Sequence, residues 1–207
     1  MPWILMTALV GGLLLAHHRE RRAWVWALKP AAAATFLGAA IAWGALEDDY
    51  GRVIFAGLVL AALGDVLLIP RERKAIFLGG IFAFLLGHVG YAVAFGVRGV
   101  DPTWAGVSLA ALTLPAAIAL RWLWPHLPSK MRGPVTLYVL VITAMVALAI
   151  ATLPVASDPR ILLGAVGFYL SDLAVARDRF VKRSLANRLW GTPLYFFSQL
   201  CLAWTCA

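Results

Sequence analysis

Eight apolar runs joined by short connections leave this chain one environment in which to fold. The runs are Trp3 to Ala16, Trp24 to Leu46, Val53 to Ile69, Ala75 to Val97, Thr103 to Leu120, Val135 to Leu153, Ile161 to Ala176 and Leu189 to Cys206. A membrane-crossing helix needs roughly 20 apolar residues, with ~17 as the usual lower limit. The first and seventh runs are the shortest. With nine Trp and only 14% charged residues in 207, and a mean hydropathy of +0.85, polar surface is too scarce to cover a soluble globule. Residues 1–207 are therefore expected to form a single transmembrane helical domain: an all-α, polytopic protein of eight transmembrane helices. Its expected setting is a cell membrane, the inner membrane of a bacterium.

Charge sets the orientation. The first, third, fifth and seventh connections carry Arg19, Arg21 and Arg22; Arg71, Arg73 and Lys74; Arg121, Lys130 and Arg132; and Arg177, Arg179, Lys182, Arg183 and Arg188. The other three hold only Arg52, Arg98 and Arg160, so the balance is fourteen against three. Basic residues in short loops stay on the cytoplasmic side, which predicts both termini outside. The net charge of +8 then reflects topology and anionic lipid headgroups, and nucleic acid is not an expected partner. The N-terminal run lacks a basic segment before it and a small-residue cleavage site, so it reads as the first helix and not as a secretion signal. Cys201 and Cys206 fall on different helical faces and read as ordinary buried thiols.

Against this apolar background Asp65 and Asp172 stand out, because a carboxylate in hydrocarbon is costly enough to suggest a function. A shift of 107 residues lays Asp65 on Asp172, Gly64 on Ser171 and His88 on Tyr195. The shift spans an even number of helices, which suggests a parallel four-helix repeat. At ~1.5 Å per residue, both acids lie roughly 8 to 9 Å below the arginines that follow them, and Lys29 lies roughly 10 Å in from Arg22. His88 and Gln199 are deeper. Phe77, Ile81, Phe84, His88, Tyr91 and Phe95 form one stripe of the fourth helix, and Thr192, Tyr195, Ser198, Gln199 and Leu202 share a face of the eighth. Gly57, Ala61 and Gly64 give the third helix a small-residue face for close packing.

Each of these residues also has a structural reading. Either Asp serves as helix glue for Lys29 or an arginine, Lys29 snorkels, and His88 is a hydrogen-bonded packing residue. Tyr50, Trp104, Trp122, Trp124 and Trp190 read as interfacial anchors. Gly133-Pro134 and Pro193 are expected to mark helix starts, whereas Pro30 and Pro115 kink or enter helices.

Taken together, Lys29-Pro30, GDVLLI from Gly64 to Ile69, FLGGIFAFLLGHVGYAVAF from Phe77 to Phe95, GAVGFYLSDLAVARDRF from Gly164 to Phe180 and TPLYFFSQLCLAW near the end resemble the YhhN-like lysoplasmalogenase family. The combination of GD, H-x-x-Y and SD carries the resemblance. Leu173, where the family pattern often has a small polar residue, and Tyr195-Phe196-Phe197-Ser198, where it has a Tyr-Tyr pair before the last Gln, depart from it and bear on the substrate more than on the reaction. The resemblance implies hydrolysis of the vinyl ether bond of a lysoplasmalogen, releasing a fatty aldehyde and a glycerophospho-ethanolamine or glycerophospho-choline. The partners it implies are a lysophospholipid substrate and membrane lipids.

The residues suit that chemistry on their own terms. Cleaving a vinyl ether takes one carboxylic acid to protonate the alkene and one carboxylate to face the resulting cation, a division of labour shared with glycosidases. Asp65, Asp172 and His88 are the catalytic candidates, with either Asp able to be the acid. Lys29, Tyr91, Tyr169, Ser171, Tyr195 and Gln199 are candidates to line the pocket, and Arg71, Arg177 or Arg179 to meet the phosphate. No cofactor and no metal are expected, since there is no HxxxH or Cys/His cluster, although Asp65, Asp172 and His88 would form the one conceivable metal set. Two other classes use the same features: a proton-coupled transporter of a small or lipid-like molecule, and a metal-dependent lipid amidase or esterase. ATP-driven, redox and serine-hydrolase classes lack their motifs.

Overall fold

The computed structural model describes residues 1–70 and 72–207, with Lys74 described through its backbone alone. Eight long helices follow one another: α1 (Pro2–His18), α2 (Arg22–Ala42), α3 (Asp49–Leu67), α4 (Lys74–Arg98), α5 (Pro102–Leu123), α6 (Ser129–Ala151), α7 (Pro159–Ala176) and α8 (Leu185–Trp204). One 3₁₀ turn, Trp124–His126, follows α5, a short helical turn, Leu153–Ala156, follows α6, and a π-helical turn, Arg177–Val181, extends α7. Among the described residues there is no strand, so backbone polar groups are met within helices, as hydrocarbon requires. Six of the helices, α2 to α7, are long and apolar enough to cross a membrane, and α1 is a shorter apolar helix. The expected eight runs thus correspond one to one with the eight helices of a multi-pass membrane protein. Polar residues interrupt α8, which is the most one-sided element: Asn187, Gly191, Tyr195, Ser198 and Leu202 are all buried along one face.

Helix ends explain most boundary differences. Asp48, Asp101 and Asp158 cap α3, α5 and α7 by accepting the N–H of Gly51, Trp104 and Arg160, each satisfying a donor that the first helical turn leaves open. These caps lie at the end of the bundle opposite the arginine-rich connections. Helix α2 ends at Ala42, short of the expected Leu46, because Gly44 turns the chain with φ of 84°, a conformation that glycine adopts at little cost. Pro134 and Pro193 lie inside α6 and α8 and do not open them. Each removes only the bond to the carbonyl four residues back, Lys130 or Leu189, both within the first helical turns, where the loss is least disruptive.

The tightest helix pairs are α3 with α4 and α7 with α8. A Cβ on Gly57 would sit 2.6 Å from the Tyr91 ring, and one on Gly164 would sit 2.6 Å from Leu202 Cγ. These two glycines are 107 residues apart. Glycine at such points lets backbones approach closely, the main source of helix association where lipid offers no hydrophobic contrast. Helix α5 is the least buried of the spans and presents Val107, Leu114 and Ile118 outward. Tyr50, expected at the membrane interface, is instead buried: its hydroxyl donates to Thr205 Oγ1 at 2.7 Å and Arg98 lies over its ring. With both its polar tip and its face satisfied inside the bundle, the side chain has no need of the headgroup layer.

Candidate active site

Asp65 stands one turn before the open end of α3. There the chain tightens, with Ile69 N–H bonded to the Val66 carbonyl, so the Asp65 carbonyl gets no helical donor. Lys29 supplies it from α2. Its ammonium donates to the Asp65 carbonyl at 3.0 Å and lies 3.1 Å from Asp65 Oδ1, holding the backbone and the carboxylate together. On the other carboxylate oxygen, the Tyr195 hydroxyl donates to Oδ2 at 2.7 Å from α8. The Asp65 side chain is 2% exposed. A carboxylate so deeply placed is stable only when paired and hydrogen-bonded, and both conditions are met.

Asp172 stands at the corresponding place in α7 with different company. Tyr138 of α6 donates its hydroxyl to Oδ2 at 2.7 Å, and His88 Nε2 of α4 lies 3.4 Å from the same oxygen. His88 Nδ1 is 2.7 Å from the Phe84 carbonyl. A carbonyl only accepts, so the ring proton sits on Nδ1 and the Nε2 lone pair faces Asp172. The imidazole is fully buried, stacked on Phe168 at 4.3 Å between centroids and met edge-on by Tyr138. Its orientation is thereby fixed. Nε2 itself has no hydrogen-bond partner among the described residues; Asp172 Oδ2 stands beside it at 3.4 Å.

Both carboxylates line one cavity of about 260 Å³, together with Lys29, Tyr138, Tyr169 and Tyr195. The rest of the wall is largely apolar, including Phe77, Ile81 and Phe84 of the α4 stripe. Bulk water takes about 30 Å³ per molecule, so there is room for a reacting group with water beside it. Convergent polar groups in an apolar pocket are the usual form of a small-molecule site.

The other sequence candidates are placed elsewhere. Tyr91 is fully buried behind the cavity and donates to Gln199 Oε1 at 2.6 Å. Ser171 donates back to the Phe168 carbonyl, a bond within its own helix. Neither these three nor His88 lines the cavity. Arg177 is exposed and does not itself line the cavity; it donates at 2.8 Å to Oδ1 of Asn187, a residue of the wall. Arg179, by contrast, lies over the Phe77 ring at 3.8 Å and is part of that wall. Arg71 lies outside the described residues. Asp65, Asp172 and His88 do not form a metal cluster, since among the described residues no three His, Cys, Asp or Glu side chains are arranged to hold an ion.

Three residues at the site were not read from sequence in these roles: Tyr138, His17 and Arg188. Tyr138 had a usable signal, since it lies six residues from Arg132, the same depth that singled out Asp65. His17 and Arg188 line the mouth of the cavity at its basic end, where the Arg188 guanidinium donates to His17 Nδ1 at 2.9 Å.

Comparison with known proteins places these features in a lineage. The sequence model of one family, described as the YhhN family, matches residues 24–206. A lysoplasmalogenase of Mycobacterium bovis is 31% identical over 150 residues, covering 70% of this chain and 55% of that protein. Lysoplasmalogenase TMEM86A of Bos taurus is 30% identical over 156 residues, covering 72% of this chain and 63% of its own length. The match thus spans little more than half of the mycobacterial relative and less than two thirds of the bovine one. An Escherichia coli protein named uncharacterized membrane protein YhhN is 27% identical over 176 residues, covering 83% and 81% of the two chains. No solved structure gives a significant match.

Proposed function

Because this chain belongs to the YhhN family, we propose that its cavity hydrolyses the vinyl ether of a lysoplasmalogen, with Asp172 as the acid and Asp65 as the carboxylate. The observation that carries the assignment is the unequal company of two acids in one cavity. An ammonium against Asp65 Oδ1 favours the ionised form there, whereas Asp172 has an imidazole and a phenol but no cation among its described partners. Lysoplasmalogenases with about 30% identity support the substrate class.

The chemistry follows in three steps. Asp172 gives its proton to the outer alkene carbon of the lipid. The alkene pair forms the new C–H bond, and the ether oxygen shares its lone pair to give an oxocarbenium ion. Asp65, held by Lys29 and Tyr195, faces that cation at close range in a medium of low polarity, where fixed charge acts most strongly. Water then adds to the cationic carbon and Asp65 accepts its proton, leaving a hemiacetal. The hemiacetal hydroxyl gives up its proton as its lone pair forms the carbonyl, the C–O bond breaks, and the departing oxygen takes up a proton, releasing a fatty aldehyde and the glycerol hydroxyl of the glycerophospho-base. One water is consumed, and the proton taken by Asp65 restores Asp172. His88 is a positioning residue: its buried ring, fixed by the Phe84 carbonyl and Phe168, stands 3.4 Å from Asp172 Oδ2 and limits where that carboxyl can turn. Depth agrees with the substrate, because the ether oxygen of a lysolipid lies just beneath its headgroup, while the chain runs toward the midplane.

Aldehyde release from a lysoplasmalogen by the purified protein tests the reading, with Asp65→Asn and Asp172→Asn as controls. Turnover by wild type that disappears in both variants is the expected result. Undiminished turnover in both, or relocation of intact lipid without aldehyde, would end it, the latter in favour of a carrier.

A further inference from the structure

At the basic end of the bundle the apolar cavity meets a second recess of about 680 Å³. The two share His17, Val25, Ile69 and Arg188 as wall residues, so they adjoin, with the His17–Arg188 contact on the shared wall. The recess differs from the cavity in chemistry. Arg183 and Arg188 contribute cationic wall, while Glu20 and Glu72 contribute carboxylates. Arg188 is held in place by His17 at 2.9 Å and Asp178 at 3.6 Å, with its side chain 15% exposed. A guanidinium fixed in this way on the wall shared by the two hollows is preorganised for a tetrahedral anion. Glu72 pairs with Arg22 across the rim at 2.8 Å.

We infer that this recess seats the zwitterionic headgroup of the lysophospholipid, with the phosphate against Arg183 and Arg188 and the ammonium against Glu20. The inference rests on the proposed hydrolysis of a lysolipid in the adjoining cavity and adds where the headgroup is read. It moves phosphate recognition from Arg177, which is turned to Asn187, to the wall formed by the α7–α8 connection and the start of α8. Charges of both signs facing one recess match a headgroup carrying a phosphodiester and an amine a few bonds apart.

The test measures binding apart from turnover. The probes are a saturated 1-O-alkyl lysophosphatidylethanolamine, which has no vinyl ether to cleave, 1-O-alkyl glycerol phosphate, which lacks the amine, and 1-O-alkyl glycerol, which lacks the phosphate. Exposed Arg183→Gln is expected to weaken the first two about tenfold and leave the alkyl glycerol within twofold. Glu20→Gln is expected to weaken only the amine-bearing lipid, about threefold. Arg188→Gln, checked for folding by its melting profile, should act like Arg183→Gln. Equal loss for all three probes, or no loss for any, overturns the assignment. Soluble glycerophosphoethanolamine binding as tightly as the lipid would also overturn it, by showing a site for free phosphoesters. Arginine-dependent binding without aldehyde release by wild type would sink the hydrolase reading and keep the recess. Aldehyde release with an unchanged KM in Arg183→Gln would do the reverse.

Discussion

Asp65 and Asp172 occupy corresponding places 107 residues apart, and their partners are related crosswise. Asp65 is met by Tyr195 of α8, and Asp172 by His88 of α4; Tyr195 and His88 are themselves 107 residues apart. Each acid also takes a partner from the second helix of its own half, Lys29 of α2 or Tyr138 of α6. The two acids thus draw on helices of corresponding order, and their company differs: an ammonium and a phenol on one side, an imidazole and a phenol on the other. Two carboxylates in matched surroundings would resist being ionised together in a site of low polarity. On the proposed reading, the unequal partners place the charge on one and the proton on the other, which is the pairing that acid-catalysed ether cleavage needs.

Removing the proton donor should have the largest effect. Asp172→Asn keeps the shape and a hydrogen bond from Tyr138 but cannot deliver a proton, so kcat is expected to fall by about 10² to 10⁴, with lysolipid affinity kept. If Asp172→Asn remains active while Asp65→Asn is dead, the two roles are exchanged.

The ion pair gives the next largest effect, read as stability. Lys29→Met leaves Asp65 buried against Tyr195 without its cation, and breaking such a pair costs about 3 to 5 kcal/mol. The melting temperature in detergent should drop clearly. Lys29→Met with Asp65→Asn should recover most of it without recovering turnover. Recovery of turnover would mean that Asp65 is helix glue and not a reacting group.

The two phenols should separate the halves more finely. A hydrogen bond to a charged group is worth about 1.5 to 3 kcal/mol and one between neutral groups about 0.5 to 1.5. Tyr195→Phe, which strips a donor from the ionised acid, is therefore expected to lower kcat about tenfold or more. Tyr138→Phe should cost about threefold to tenfold. The reverse order would place the charge on Asp172.

How much of this was legible beforehand depended on whether a residue carried its meaning alone. The spans were readable because hydrocarbon demands long apolar runs, and the acids because an ionisable group in such a run is expensive. Lys29 shared their depth and proved to be the partner of Asp65. Tyr138 did not announce itself, since a tyrosine in an aliphatic helix is ordinary until a carboxylate is found 2.7 Å away. The arginines were legible as a basic end but not one by one: exposed Arg177 bonds Asn187, while Arg188, in the first turn of α8, reaches the cavity mouth. Tyr91, Ser171 and Gln199 looked like pocket residues because they are polar on the right faces, yet helix and interhelix bonds turn them away.

That last group supplies the smallest expected effect. Tyr91 and Gln199 bond each other at 2.6 Å, fully buried behind the cavity wall. Tyr91→Phe alone strands the Gln199 carbonyl oxygen, and Gln199→Leu alone strands the tyrosine hydroxyl; each should cost about 1 to 3 kcal/mol of stability. Replacing both with apolar residues removes donor and acceptor together, which is close to neutral in such a setting. The double variant should therefore melt above either single one and turn over substrate within about twofold of wild type. A loss of tenfold or more in the double variant, with its melting temperature intact, would bring this pair into contact with substrate and extend the reacting cavity beyond the wall formed by Phe84 and Tyr195.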